Sequence, residues 1–247
     1  MTKNRIQLRV GAGNSACAAS QRYPETMSRA LLACLLSLQT LAWCQDVHPV
    51  TGRQVAPTMG MGGAPWLVRP ERAAEEAPEA ALDAIGVAKG AIVADIGTGV
   101  GYFTWRLAER VGPAGKVYAE DIQSGMLEQL RHNMAERKLS NYEAVLGAED
   151  DPRLPAGRLD LALLVDVYHE FSQPQKMLQK IRAALKPDGR LILLEYRKED
   201  PKVPIRPEHK MAVAEVKAEI EPEGFRLDKT IETLPRQHIL IFRKNVM

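Results

Sequence analysis

The sequence predicts an α/β domain of the doubly wound kind, with a mostly parallel seven-stranded sheet and an antiparallel hairpin at its C-terminus. Three observations predict it. From residue 70 onward, short apolar runs alternate with segments whose apolar residues recur at helical spacing. Two of the runs, 159–167 (LDLALLVDV) and 190–196 (RLILLEY), are apolar almost throughout, as strands covered on both faces must be. The last two runs, near 225–234 and 238–242, are joined too tightly for a helical crossover, so they pair antiparallel.

Each element has its local reason. Residues 71–85 form a helix with acids in its first turns, where the helix dipole favours them, and Pro78 bends or splits it. Gly86 and Gly90 bracket a turn before the first strand, 91–96 (AIVADI). A helix over 101–111 and the turn 112–115 (GPAG) lead to the second strand, 116–121 (KVYAED). Ser124 caps a helix carrying Leu127, Leu130 and Met134, and 141–146 is the third strand. After the fourth strand, 159–167, comes a helix with Ser172 as cap. Pro174 stands in its first turn, where a missing N–H does no harm. Residues 186–189 (KPDG) end that helix before the fifth strand, and a last helix over 207–221 stops at Pro222 and Gly224.

The chain of 247 residues is 45% hydrophobic and 26% charged, enough apolar content for a sizeable core. Its net charge of +2 hides an asymmetry. Residues 1–69 hold seven basic and two acidic side chains, so the remainder is mildly acidic and a polyanion partner is disfavoured. All three cysteines (Cys17, Cys34 and Cys44) precede residue 45, which excludes disulfides, zinc–thiolate sites and a cysteine nucleophile from the larger part. Residues 1–44 divide into a polar leader and an apolar run, 30–43, too short to span a bilayer. That run has the length of a signal-peptide core, and an N-terminal helix packed on the domain is the alternative. Its implication of export or membrane contact opposes the intracellular cofactor inferred below, so location stays open. Residues 45–69 are rich in Pro, Gly and Met without periodicity, a loop that is either a flap over a pocket or ordinary surface packing.

The chemistry concentrates at strand ends. The first strand runs into Asp95-Ile96-Gly97-Thr98-Gly99-Val100-Gly101, a turn stripped of side chains that lets a ligand approach the backbone and the following helix N-terminus. Dinucleotide enzymes place the third glycine one residue later, and a P-loop needs a lysine absent here. Asp121 ends the second strand, where a carboxylate can accept both ribose hydroxyls, with Glu120 as the alternative. The acidic turn 147–152 (GAEDDP) follows the third strand.

The segments VADIGTGVGYFT (93–104), VYAEDIQSGMLEQL (117–130), GRLDLALLVDVYHEF (157–171) and LKPDGRLILLEYR (185–197) resemble the successive motifs of class I S-adenosylmethionine-dependent methyltransferases. In style they are similar to the small-molecule enzymes of ubiquinone and menaquinone biosynthesis. The resemblance spans about 70–247 and implies a Rossmann-like fold, S-adenosylmethionine as cofactor and in-line methyl transfer to a small-molecule acceptor. It implies a cofactor-binding set of Asp95, Gly97, Thr98, Gly99, Gly101, Asp121, Ile122, Glu149, Asp150 and Asp166. Asp95 and the glycines would hold the methionine moiety, Asp121 the ribose, and one acid among Glu149, Asp150 and Asp151 the adenine region. Two extra residues before Leu154-Pro155 leave that last choice open. At the end of the fourth strand, His169 is a candidate proton acceptor, with Tyr168 and Glu170 orienting an acceptor or holding the loop. The alternative makes His169 and Glu170 a structural pair. Glu195, Tyr196, His209 and Lys210 are further candidates for the acceptor pocket. No metal site is expected, because His48, His132 and His238 show no ligand spacing with these residues. The rival functions are a nicotinamide oxidoreductase on a similar sheet and a non-catalytic binding module.

Overall fold

The structure, a computed structural model, describes residues 47–245. The leader, its apolar run and the cysteines lie outside the described residues. Among these residues no helix is long and apolar enough to cross a membrane. Eight strands form one sheet: β1 (Ile92–Ile96), β2 (Lys116–Asp121), β3 (Tyr142–Leu146), β4 (Leu159–Val165), β5 (Leu185–Arg197), β6 (Lys210–Met211), β7 (Phe225–Ile231) and β8 (Gln237–Lys244). Their order is β3-β2-β1-β4-β5-β8-β7, with the two-residue β6 beside β5. All pairs from β3 across to β5 and β6 are parallel, and β8 runs antiparallel to both β5 and β7. The chain leaves β1 toward β3 and returns on the other side at β4. Order therefore reverses between β1 and β4, and their carboxyl ends open the crevice where such sheets bind ligands.

Seven helices complete the described fold: α1 (Ala64–Leu67), α2 (Arg72–Glu76), α3 (Pro78–Ile85), α4 (Thr104–Val111), α5 (Ser124–Glu136), α6 (Pro174–Ala184) and α7 (Val213–Ile220). Successive side chains of a strand point to opposite faces. Thus Val93 joins Leu82, Leu107 and Leu130 in one core, whereas Ala94 and Ile96 join Leu178, Ile181 and Phe242 in the other. Both faces of the sheet are covered, as the unbroken apolar runs require.

The departures from expectation have physical causes. The helix over 71–85 divides at Ala77, which leaves the right-handed helical region that Pro78 disfavours for it and takes φ +48. The helix after β1 begins at Thr104 rather than residue 101, since Gly97, Gly99 and Gly101 all adopt positive φ. The segment 207–221 is not one helix. A 3-10 turn (Pro207–His209) and β6 precede α7, because Lys210 and Met211 find strand partners in Tyr196 and Arg197. Neither Ser124 nor Ser172 caps a helix; Gln123 and Gln173 hold those positions, and the Ser172 hydroxyl donates to Glu149 at 3.0 Å. β5 begins at Leu185, whose pairing with Leu159 is followed by a register shift.

Residues 47–69 contain a 3-10 turn (Met61–Gly63) and α1 where only loop was expected. They are held by a buried ion pair. Arg53 donates through Nε and Nη2 to the two carboxylate oxygens of Glu219 on α7, at 3.0 and 3.1 Å. Its Nη1 and the N–H of Ala56 both donate to the carbonyl of His169, at 3.1 and 3.0 Å.

Candidate active site

The glycine loop is shaped from below and from the sides. One Asp95 oxygen accepts the hydroxyls of Thr98 (2.9 Å) and Thr104 (2.6 Å), and burial pushes the carboxyl up to about 6. The Thr98 N–H donates to the Glu120 carbonyl at 2.9 Å, and the Gly101 N–H closes the turn on Thr98 at 3.0 Å. Asp95, Thr98 and Gly101 therefore fix the loop and do not line the cavity above it. Gly97 (φ +66) and Gly99 (φ +55) do line it. A Cβ on Gly97 would stand 2.3 Å from Val167 Cγ2, and one on Gly99 would stand 2.7 Å from Leu67 Cδ1. At Gly97 only glycine satisfies both the dihedral and the space; at Gly99, where the Leu67 tip can shift, the dihedral is the constraint.

Two neighbouring acids end β2, and both reach the cavity. Asp121 accepts the N–H of Gly99 (2.9 Å) on one oxygen and that of Gln123 (2.8 Å) on the other, with burial raising its pKa. A carboxylate has about four acceptor positions, so this one retains capacity for a ligand. Glu120 differs. Its Oε2 is 3.4 Å from the Gly97 N–H, its buried Oε1 has no partner, and burial beside the Asp121 charge pushes it up to about 8.

The cavity encloses about 690 Å³, within the range of sites that take a drug-sized ligand. Of the residues predicted for a cofactor, Gly97, Gly99, Asp121, Ile122, Glu149 and Asp166 line it. Ile122 is an exposed apolar side chain on its lip. Asp150 does not line it and faces Lys176 on α6 at 3.8 Å; Asp151 pairs with Lys180 at 3.0 Å. Among the three acids left open by the sequence, Glu149 is the one at the cavity.

Asp166, just past β4, is a non-glycine residue at φ +51. Its Oδ2 accepts from Gln237 Nε2 at 2.7 Å, while its buried Oδ1 has no partner. Burial, with the charges of Glu76 and Glu195, raises its pKa strongly. Nearby, Arg72 donates to Glu76 (2.8 Å) and to the Leu67 carbonyl (2.8 Å) and lies 4.2 Å from the Tyr102 ring centre. Tyr196 donates its hydroxyl to the other Glu76 oxygen at 2.8 Å. Arg69, Arg72 and Glu76 all line the cavity, and sequence reasoning singled out none of them. They sit on the segment leading into α2 and within it, and only the fold carries them to the cavity beside Tyr196 of β5.

The opposite end is formed by His169, Glu170 and His209. His169 donates Nδ1–H to Glu195 Oε2 at 2.6 Å, and the other Glu195 oxygen accepts the Tyr168 N–H at 3.0 Å. Burial opposes a charge on this imidazole, but the Glu195 carboxylate outweighs it and raises the pKa. His169 Nε2 faces His209 Nδ1 at 3.1 Å. Burial pushes Glu170 up to about 7, and the Met59 N–H reaches its carboxylate at 3.4 Å. Tyr168 is fully buried, edge-on to Phe171 and 3.4 Å from His48 Nε2, so the structure does not bring it to the cavity. Lys210 is also buried and does not line the cavity.

Residues 88–233, more than half of the chain, match the family model described as a methyltransferase domain. A crystallised S-adenosylmethionine-dependent methyltransferase from Aquifex aeolicus superposes with a TM-score of 0.71 at 28% identity, over 75% of this chain and 98% of that one. The ubiquinone/menaquinone biosynthesis C-methyltransferase UbiE of Hahella chejuensis is 31% identical over 118 residues, 47% of each protein. Nocamycin O-methyltransferase of Saccharothrix syringae is 33% identical over 110 residues, 44% of this chain and 39% of that protein. The aligned part thus spans about half the length, or less, of these curated relatives. With its sheet order, its glycine loop and this match together, the chain belongs to the methyltransferase-domain family and has the Rossmann-like fold of the class I S-adenosylmethionine-dependent methyltransferases.

Proposed function

We propose that the chain binds S-adenosylmethionine in this cavity and transfers its methyl group to a small-molecule acceptor seated toward His169 and Glu170. The observation that carries the reading is the pair of positive-φ glycines, Gly97 and Gly99, lining the cavity beside the Asp121 carboxylate at the carboxyl ends of β1 and β2. In this reading Asp121 accepts the ribose hydroxyls, Ile122 offers the adenine an apolar face, and Glu149 stands at the adenine edge. The unpartnered Asp166 oxygen suits an ammonium group, and Arg69 and Arg72 suit a carboxylate, the two charges of an amino acid. When bound, the cofactor supplies an activated methyl whose sulfonium leaves as a neutral thioether. The chain's own contribution is then orientation and exclusion of water, and fixing two reactants together is worth roughly 7–11 kcal/mol of barrier. The relatives named for C- and O-methylation act on small molecules by their names, which supports the acceptor class.

Calorimetric titration with S-adenosylhomocysteine tests the binding, with NAD as the control. Saturable uptake of the former alone is expected, and it should vanish in Gly99→Val while the circular dichroism stays folded. Preference for NAD, or equal binding by the variant, would refute the assignment. Turnover of labelled methyl groups then separates an enzyme from a binding module.

A further inference from the structure

We propose that His169, Glu170 and His209 form a binding site for a first-row divalent metal ion of the zinc class, with its open coordination position facing the cavity. Each residue offers one ligating atom, and these atoms lie within 4.8 Å of one another. The separations are 3.1 Å between His169 Nε2 and His209 Nδ1, and 4.0 Å from each of these to Glu170 Oε1. The circle through three points so spaced has a radius of about 2.2 Å, close to the ~2.0–2.2 Å of zinc–nitrogen and zinc–carboxylate bonds. An ion with a tetrahedral fourth position stands out of that plane and needs separations of about 3.4 Å, so the Glu170 carboxylate closes on the two imidazoles by about half an ångström.

A second observation supports it independently. The Glu195 carboxylate fixes the proton of His169 on Nδ1, which leaves the Nε2 lone pair aimed at His209. Carboxylate, imidazole and metal in line is the usual way a ligating histidine is oriented. The cluster also joins two distant segments, the 3-10 turn Tyr168–Glu170 after β4 and the 3-10 turn Pro207–His209 before β6. Two imidazoles and one carboxylate suit zinc-like ions and not magnesium, which prefers an all-oxygen shell. Three protein ligands with an open fourth position is the pattern of sites that also bind a substrate. On the function proposed above, on which this consequence alone rests, the acceptor would carry an oxygen donor next to the atom that is methylated.

The test uses the full chain with Cys17, Cys34 and Cys44 changed to serine, so that thiols do not compete, after chelator treatment. Titration with Zn2+ alone should show one ion bound per chain, with Mg2+ giving no uptake. His209→Ala, a half-buried position whose loss spares the core, should weaken Zn2+ binding by at least tenfold. Glu195→Gln should weaken it about 10–100-fold, the range for an orienting carboxylate. Absence of uptake by a chain that still binds S-adenosylhomocysteine would overturn the proposal, and so would unchanged affinity in His209→Ala. Loss of S-adenosylhomocysteine binding with zinc uptake intact would instead count against the methyltransferase reading and leave the metal site standing.

Discussion

Glu120 makes the fold depend on pH in a direction opposite to ordinary acid denaturation. Its side chain is 1% exposed, one oxygen lacks a partner, and its carboxyl is pushed from an ordinary 4.5 up to about 8. A raised folded pKa means that the native state binds more protons than the unfolded chain between about 4.5 and 8. Stability attributable to this group is therefore fully present below the lower value and is lost as pH rises toward the upper one. At about 1.36 kcal/mol per pH unit, the two units from pH 5 to pH 7 cost about 3 kcal/mol. Glu120→Gln keeps the shape and removes the titration. Urea denaturation at pH 5, 6, 7 and 8 should show the wild type losing stability relative to the variant by about that amount between pH 5 and 7. Parallel curves would refute the reasoning, and so would a wild type that gains on the variant as pH rises. Asp95, raised to about 6, acts in the same direction over a lower window in both proteins.

The remaining predictions concern the loop, the ribose carboxylate and the buried ion pair. Gly97→Ala puts a methyl 2.3 Å from Val167 Cγ2 at φ +66, so calorimetry should show S-adenosylhomocysteine binding lost. Backbone strain of about 1–2 kcal/mol should accompany it in denaturant titrations. Asp121→Ala should weaken cofactor binding by more than tenfold. It should also lower stability by about 1–3 kcal/mol, since it strips acceptors from the Gly99 and Gln123 amides; unchanged stability would disprove that coupling. Arg53→Ala should cost about 3–5 kcal/mol in urea denaturation, because it leaves the buried Glu219 carboxylate with only the Thr51 hydroxyl and His48 as partners. Replacing the pair together by Met and Leu should recover most of that loss, and failure to do so would mean packing dominates.

What was legible in the sequence was whatever rests on short-range pattern. β1, β2 and the closing hairpin stand where periodicity and turn residues put them, and the helix between β1 and β2 ends where expected, at Val111. So do the glycines and the two acids at the end of β2, because a strand-end position is set by the strand itself. What was not legible depends on distant segments meeting. Nothing near His169 announces that residue 209 will arrive 3.1 Å away, since that contact needs the 207–211 segment to abandon a helix for β6. Arg72 reads locally as a helix-surface charge paired four residues on with Glu76, and only the placement of α2 beside Tyr102 and beside Tyr196 at the end of β5 turns the pair inward. The choice among Glu149, Asp150 and Asp151 was not legible for the complementary reason: in an acidic run, periodicity cannot say which carboxylates turn toward lysines on α6.

The segment 47–69, for which the sequence left a flap and ordinary surface packing open, supplies Pro57, Met59, Trp66 and Leu67 to the cavity wall, and this alters how the cavity should behave. Arg53 and Ala56 share the carbonyl of His169, the Met59 N–H reaches Glu170, and the Met59 carbonyl accepts from Gln123 Nε2 at 2.9 Å. One strap therefore touches the end of β4 and the entry to α5, the two walls between which a nucleoside and an acceptor would lie. Leu67 from the same strap covers Gly99. A ligand that enters must either displace that side chain or use the space beside it, so binding and the position of the strap are energetically linked. A ligand that binds only the folded state raises its stability by mass action. If it also tightens the strap, the backbone amides of 53–59 should gain protection beyond that global increment. Hydrogen exchange with and without S-adenosylhomocysteine measures the difference directly. Equal protection of these amides and of the β1 amides would mean that the strap is a passive wall.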